Sequence, residues 1–377
     1  MRINAGMCGW VLAVACASGA AALAADKPAD STAAKYGEQT LSDIRDAFYM
    51  PDRHLFREEI NTDHKAAPSW IWDGSIQLGA LCAAARIDPD KYLPQVKEYA
   101  IALRSYRTTA NDKPGFDVNP GPKNSDRYYD DNAWISMSLL ETYELTHDAK
   151  DLELAKECYE FATGCEDDKL GGGLYWHEGN AKSKNACTSG PAMLAALQLY
   201  RITRDETYLK TAERLYDWQR KTLQDTDGLV FDNINVPSGR LSKAKLTYNS
   251  GTLIRAAVEL YQATNDKKYL EEAERVASAA ANRFVKPEDG IIEGWGKLAV
   301  KLVEGFAELS EVDHNDRWKE IIGKCLTTLH EKRNAEGFYA LNWDRKPLAD
   351  KAVARLIDQS AVARADFIAA EHGIEVK

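Results

Sequence analysis

Apolar and polar positions repeat along this chain on two scales. Within single segments, Leu, Tyr and Ala recur at three- and four-residue spacing, the period of an α-helix with one apolar face. On a longer scale, one helix–turn–helix pattern returns about every 60 residues. Leu139 to Asp148, Leu197 to Asp205 and Val258 to Asp266 are three clear copies. Leu81 to Ile87, followed by Asp88, is a weaker earlier copy, and Val303 to Leu309 a degenerate later one. In each, an apolar helix with small residues ends at a polar turn containing Asp. A second helix follows with Glu, Lys and Arg on its outer side, as in Tyr208 to Lys221 and Tyr269 to Phe284, which reads as a solvated face. Each unit is thus a hairpin of one buried and one half-exposed helix. A tetratricopeptide array would repeat at about 34 residues, so it is excluded.

Between hairpins lie segments rich in Gly, aromatics and acids: Gly171 to Gly179, Gly228 to Asn235, Gly290 to Gly296 and Gly337 to Trp343. They read as long loops or short strands at one end of the hairpins. About six hairpins fit, with Leu348 to His372 as the last helix. The expected fold is all-α, an (α/α)6 toroid with long loops around a central cleft, formed as a single domain over 37–377 after a flexible N-terminal tail over 25–36.

Residues 1–24 read as a secretory signal peptide: Arg2, an apolar stretch from Met7 to Leu23, and Ala22-Leu23-Ala24 as a cleavage pattern. Ala13-Val14-Ala15-Cys16 loosely resembles a lipobox, so lipoprotein anchoring at Cys16 is the alternative. The expected location is extracellular or periplasmic. No later stretch approaches the ~18 apolar residues of a transmembrane segment. The formal charge of −10, without a basic run, excludes nucleic acid as the main partner. A monomer is expected. Five cysteines follow the signal, Cys82, Cys158, Cys165, Cys187 and Cys325. They read as buried small residues, with Cys158–Cys165 or Cys165–Cys187 as the spacings open to a bridge. Neither paired Cys nor paired His suggests a metal, and Asp225-Thr226-Asp227-Gly228 has only a fragment of a calcium loop. No cofactor and no metal are expected.

The candidate chemistry lies in Ser125-Asp126-Arg127-Tyr128-Tyr129-Asp130-Asp131-Asn132-Ala133-Trp134, which leads into the apolar helix of one repeat. Ser125 or Asp126 could cap that helix, and acids in a first turn suit its dipole, so two adjacent Asp are by themselves a weak signal. Their position at the start of a buried helix, among Tyr and Trp, makes them a candidate catalytic pair. Two carboxyls flanking a glycosidic bond, ~5–5.5 Å apart for retention and ~6.5–9.5 Å for inversion, are what glycoside hydrolysis requires. Neighbouring Asp at a helix start reach the shorter distance more easily. Close carboxyls also raise each other's proton affinity, so one can remain protonated as the acid. The pair lacks the third acid of an Asp-Asp-x-x-Asp magnesium site, and the seven scattered His do not pair as a sugar 2-epimerase would need.

Tyr128-Tyr129-Asp130-Asp131-Asn132-Ala133-Trp134 resembles the signature of glycoside hydrolase family 76, the endo-α-1,6-mannanase family. Gly172-Gly173-Leu174-Tyr175-Trp176 followed by Lys184-Asn185-Ala186, and Thr247-Tyr248-Asn249-Ser250-Gly251, are similar to two further elements of that family, in the same order. Ser250 stands where Gln is usual, and Ile291 to Val303 departs from the family pattern. The resemblance covers Ser69 to Phe284 best. It implies an (α/α)6 fold and a retaining mechanism on a mannan-type polysaccharide or oligosaccharide, with Asp130 as nucleophile and Asp131 as general acid/base. The other readings are an (α/α)6 glycosidase or transglycosylase on another α-glycan, and a glycan-binding scaffold without turnover.

Ten residues are the candidate substrate contacts, because each opens a buried helix or lies in a loop on that rim: Tyr129, Asn132, Trp134, Trp72, Tyr175, Trp176, Lys184, Asn185, Tyr248 and Asn249. For Trp134 the alternative is core packing. For Asn185 it is capping of the next helix.

Overall fold

The computed structural model describes residues 28–63, 66–121 and 125–377. The stretch read as a signal peptide, with Cys16, lies outside them. Twelve α-helices of three turns or more occur among the described residues. Six are nearly buried throughout: α2 (Ile71–Ile87), α4 (Tyr129–Thr146), α6 (Ala186–Thr203), α8 (Thr247–Thr264), α10 (Gly296–Asp313) and α12 (Leu356–Glu371). Six are buried on one face: α1 (Thr32–Phe48), α3 (Pro89–Leu103), α5 (Ala149–Thr163), α7 (Glu206–Leu223), α9 (Lys267–Phe284) and α11 (Asp316–His330). The buried helices pack α2 on α4, α4 on α6, α6 on α8, α8 on α10, α10 on α12, and α12 back on α2. This closed inner ring, with the amphipathic helices outside it, is the expected (α/α)6 toroid.

The polar turns work as the pattern suggests. Asp88, Asp148, Asp205, Asp266 and Asn315 each accept a hydrogen bond from a backbone N–H in the first turn of the following outer helix. In four of these turns the residue just before the cap is left-handed: His147, Arg204, Asn265 and His314, with φ of 54 to 60°. That conformation reverses the chain within two residues and sets inner and outer helix antiparallel. Ring packing is tight. A side chain at Gly251 of α8 would collide with the Lys301 carbonyl of α10.

Five pairs are consecutive hairpins, and the sixth joins the first helix, α1, to the last, α12. Two expectations on these segments need correction. The flexible tail assigned to 25–36 is helical from Thr32, because Ser31 caps α1 and Ala33 and Ala34 bury against the core. The last helix starts at Leu356 rather than Leu348, because Ala354–Arg355 pairs antiparallel with Glu59–Ile60.

The Gly-rich segments rise on one face. Before α6 and α8 they form an antiparallel four-stranded sheet, Tyr175–His177, Asn180–Asn185, Phe231–Asn235 and Leu241–Lys245 in that order. The axis of the ring is crossed by buried ions. Arg364 donates to Glu141 and Glu304, Lys301 to Glu304, and Arg255 to Glu304 and Glu308. No described helix is long and apolar enough to cross a membrane. All five described cysteines are free thiols, which removes both bridges considered from spacing.

Candidate active site

All six inner helices begin on the face that carries the sheet. Each is entered through an extended residue: Trp70, Tyr128, Asn185, Leu246, Trp295 and Arg355. The second residues of the six helices therefore occupy equivalent places in the ring. In order they are Trp72, Asp130, Cys187, Tyr248, Lys297 and Ile357. The third residues are Asp73, Asp131, Thr188, Asn249, Leu298 and Asp358. The candidate site is built from these two layers, in the field of six helix N-termini.

Asp130 and Asp131 lie half-buried in the first turn of α4. Neither Ser125 nor Asp126 caps that helix; Tyr128 holds the cap position without a side-chain bond, and Asp126 pairs with His177 at 2.8 Å instead. The Trp176 indole N–H donates to Asp130 Oδ2 at 2.9 Å, and the Asp131 backbone N–H donates to Asp130 Oδ1 at 3.0 Å. The Cys187 thiol lies between Asp130 and the Tyr248 hydroxyl and interacts with both. Burial pushes Asp130 up to about 6, and the donors from Trp176, Cys187 and Asp131 restrain that rise. Asp131 is held well above the usual carboxylate range by burial first and by the Asp130 charge second, with Asp73 adding to it. Near neutral pH the pair thus carries one negative charge, centred on Asp130, and one proton, centred on Asp131.

Around the pair the expected contacts separate into two groups. Trp176, 41% exposed, covers Asp130 and meets Tyr128 edge to face, with ring centroids 5.0 Å apart. Tyr248 is half-buried beside Cys187 and Asp130. Tyr129 leans on Phe161, and Trp72 lies under the Lys297 ammonium at 4.7 Å. Asn185 and Asn249 are buried at the starts of α6 and α8, and Asn185 Oδ1 and both amide atoms of Asn249 have no hydrogen-bond partner among the described residues.

Four of the expected contacts support the site from beneath instead. Asn132 is fully buried; its amide exchanges two hydrogen bonds with the Phe116 backbone and donates to the Tyr128 carbonyl. Trp134 is 3% exposed and packs under the Lys301 ammonium. The Tyr175 ring is buried and its hydroxyl donates to Asp167 at 2.8 Å. Lys184 is wholly buried, and its ammonium donates to the carbonyls of Asp167, Lys169 and Gly172 and pairs with Asp167 Oδ1. A buried ammonium needs full satisfaction, and these loop carbonyls supply it. These positions correct the expectation that Asn132, Trp134, Tyr175 and Lys184 touch a ligand directly.

Other residues at the site carried no role in the sequence reading. Arg127 is buried and clamps Glu178 through two N–H donors while donating to the Lys113 and Ala110 carbonyls. It ties the strand that carries Trp176 to the entrance of α4. Burial raises Asp73 to about 8 and Asp358 to about 7, with Lys297 opposing each rise. The signal that would have found Cys187, Lys297 and Asp358 is register: they become visible once each inner helix is counted from its first residue. The calcium-like acids Asp225 and Asp227 are both held by the Lys245 ammonium at 2.6 Å. At the opposite end of the ring a cavity of about 350 Å³ is lined by Glu144, Arg201, Arg255 and Glu308 among others. Its carboxylates are largely ion-paired, so the poised carboxyl pair belongs to the sheet-bearing face.

Comparison with known proteins fits this geometry. The family described as Glycosyl hydrolase family 76 matches residues 47–301. A putative mannan endo-1,6-alpha-mannosidase of Schizosaccharomyces pombe is 28% identical over 169 residues, 41% of this chain and 38% of that protein. The chain spans between a quarter and two-fifths of the length of the curated relatives it matches. A GH76 alpha-mannanase of Bacteroides thetaiotaomicron superposes with a TM-score of 0.86 at 25% identity, over 92% of this chain and 98% of that one. The α-1,6-mannanase of Salegentibacter, as an inactive variant with two consecutive aspartates replaced and in complex with α-1,6-mannotriose, superposes with a TM-score of 0.78 at 25% identity, over 90% and 99%. With the family matched across more than half its length and the toroid closed around an Asp pair, the chain belongs to glycoside hydrolase family 76.

Proposed function

We propose that the protein is a retaining endo-α-1,6-mannanase that cleaves mannan-type polysaccharide through a covalent glycosyl-enzyme intermediate. The observation that carries this is two adjacent carboxyls in unlike surroundings at the start of α4. Asp130 accepts from two N–H donors, which favour its charged form, and burial beside that charge raises the proton affinity of Asp131. Asp130 Oδ1 or Oδ2 attacks the anomeric carbon while Asp131 gives its proton to the departing glycosidic oxygen. The charge on Asp130 is consumed in the ester, which lowers the proton affinity of Asp131. Asp131 then takes a proton from water as that water attacks the anomeric carbon and frees Asp130. The exposed tryptophans Trp70, Trp176 and Trp295, on the face where the inner helices begin, support binding within a chain rather than at its end. The inactivity of the Salegentibacter variant with two consecutive aspartates replaced supports the assignment of the pair. We further propose that the reaction takes place outside the cytoplasm, supported by the apolar stretch in residues 1–24.

The test is incubation of the purified protein with linear α-1,6-mannan, followed by proton NMR. Early products in the α-configuration and of mixed length are expected. Early β-configured products refute retention, and mannose as the sole early product refutes endo action.

A further inference from the structure

Ile291 to Val303, where the chain departs from the family pattern, puts an unassigned cluster on the rim. Trp295 enters α10 with 49% of its surface exposed. It is held there by backbone pairing with Asn342, and by the Gly296 N–H donating to the Leu341 carbonyl at 2.9 Å. Lys297, the second residue of α10, places its ammonium 4.7 Å from the Trp72 ring centre and 5.4 Å from that of Trp295. No carboxylate or carbonyl partners that ammonium among the described residues. The cluster joins the second-residue layer of α10 to that of α2, and Asp73 connects it to Asp131. Trp70, Trp176 and Trp295 are the exposed tryptophans among the described residues, and all lie on this face.

An indole held half in water by a rigid backbone gains little for the fold, since burying an aromatic ring is what stabilises it. The ammonium beside it feels the Asp73, Asp358 and Glu58 carboxyls through space but hydrogen-bonds to none of them, so it can donate to a ligand. Asp358, 2% exposed, also has an unpartnered Oδ1 nearby in the ring. An aromatic face offers contact to the C–H face of a pyranose, and ammonium and carboxyl groups match its hydroxyls. The surrounding acids Asp73, Asp131 and Asp358 disfavour an anionic ligand.

We infer that Trp295, Lys297 and Trp72 form a subsite for one neutral hexopyranosyl unit of the glycan, on the α2–α10 side of the cleft. The inference rests on the mannanase reading for the identity of the sugar only. Trp295 stacks on the ring, and Lys297 donates to its hydroxyls while screening Asp73 and Asp358. The subsite adds affinity for longer chains and sets where along the chain the cut falls.

The test combines binding and turnover with α-1,6-linked mannobiose, mannotetraose and mannohexaose. Calorimetric Kd values are measured in an Asp130→Asn background with and without Trp295→Ala or Lys297→Met, and kcat/KM in the otherwise native chain. Both variants are expected to weaken the hexaose about tenfold in Kd and kcat/KM, and the biose less than twofold. Thermal melting checks that each variant folds. Equal Kd and kcat/KM for the hexaose with and without Trp295→Ala and Lys297→Met overturns the subsite, as does absence of any chain-length dependence in the parent. A native chain that cuts none of these sugars, while hexaose binding remains sensitive to Trp295→Ala, refutes the mannanase reading and upholds the subsite.

Discussion

Trp176 and Asp130 are joined by a single hydrogen bond, 2.9 Å from indole nitrogen to carboxylate oxygen, across 46 positions of sequence. The bond reaches from the tip of a β-hairpin to the first turn of α4. It fixes the direction of the carboxylate and favours its charged form.

Trp176→Phe removes that donor and keeps the ring. Without the N–H, the ionised form of Asp130 is less stable and its pKa moves further up. The acidic limb of the kcat/KM profile should shift to higher pH. At the optimum, activity should fall by about tenfold to a hundredfold, the worth of a hydrogen bond to a charged group. Because Trp176 is exposed, melting should hardly change. A pH–rate profile that overlays the native one would show the bond to be incidental.

Asp131→Asn should reduce kcat by about a hundredfold or more and at the same time stabilise the fold. Asp131 has a folded pKa well above its unfolded one, so the folded state binds the extra proton. The cost of ionising it in the fold is absent below the unfolded pKa near 4 and grows as pH rises through the window between the two values. The variant should therefore melt higher than the native chain at pH 7, with the difference shrinking towards pH 4. A lower melting temperature at pH 7 would contradict the burial of this carboxyl.

Lys184→Met separates support from contact. The change leaves three carbonyls and the partly exposed Asp167 carboxylate without their buried partner, which costs about 1–3 kcal/mol. Urea unfolding should show that loss. A raised KM without lost stability would instead restore Lys184 to the sugar-binding surface.

Arg364→Met tests the ionic axis. Removing the guanidinium leaves buried Glu141 with Arg86 alone and buried Glu304 with Lys301 and Arg255, a loss of about 3–5 kcal/mol. Despite its burial, Glu141 is pulled down to about 2, chiefly by Arg364. Its stabilising share is therefore present above about pH 4 and lost as pH falls towards 2. The native chain should lose stability across that window more steeply than the variant, as followed by circular dichroism.

The hairpin period, the buried and half-buried faces and the Asp-containing turns are all readable along the chain, because each is a local pattern that the ring merely repeats. The place of Asp130 and Asp131 at the start of a buried helix was readable too, from the apolar run that follows them. Their neighbours were less so. Lys184 and Tyr175 look like ligand contacts beside a Gly-rich loop, yet a buried ammonium was needed to gather that loop's carbonyls. Asn132 follows the pair directly, but one step along a helix turns a side chain by about 100° and points it at Phe116. Lys297 was missed because the segment entering α10 has no sequence sign of where the helix begins. That start depends on Trp295 pairing with Asn342, a contact made only in the folded ring.

The pairing of α1 with α12 gives the toroid a seam. Hairpins from α2 to α11 can assemble in the order they leave the ribosome, since each packs on its predecessor. The ring itself cannot shut until α12 has been made and both α1 and α2 have found it, a contact spanning nearly the whole chain. Until then α1, α2 and α10 keep apolar flanks open to water, and the intermediate is exposed to aggregation and to chaperone capture. The same seam brings Asp358 into the ring beside α2, so the carboxyl layer of the cleft is completed at the last step of folding. A partly made chain would hold Asp130 and Asp131 without the walls that set their protonation, which ties the appearance of chemistry to the closing of the circle.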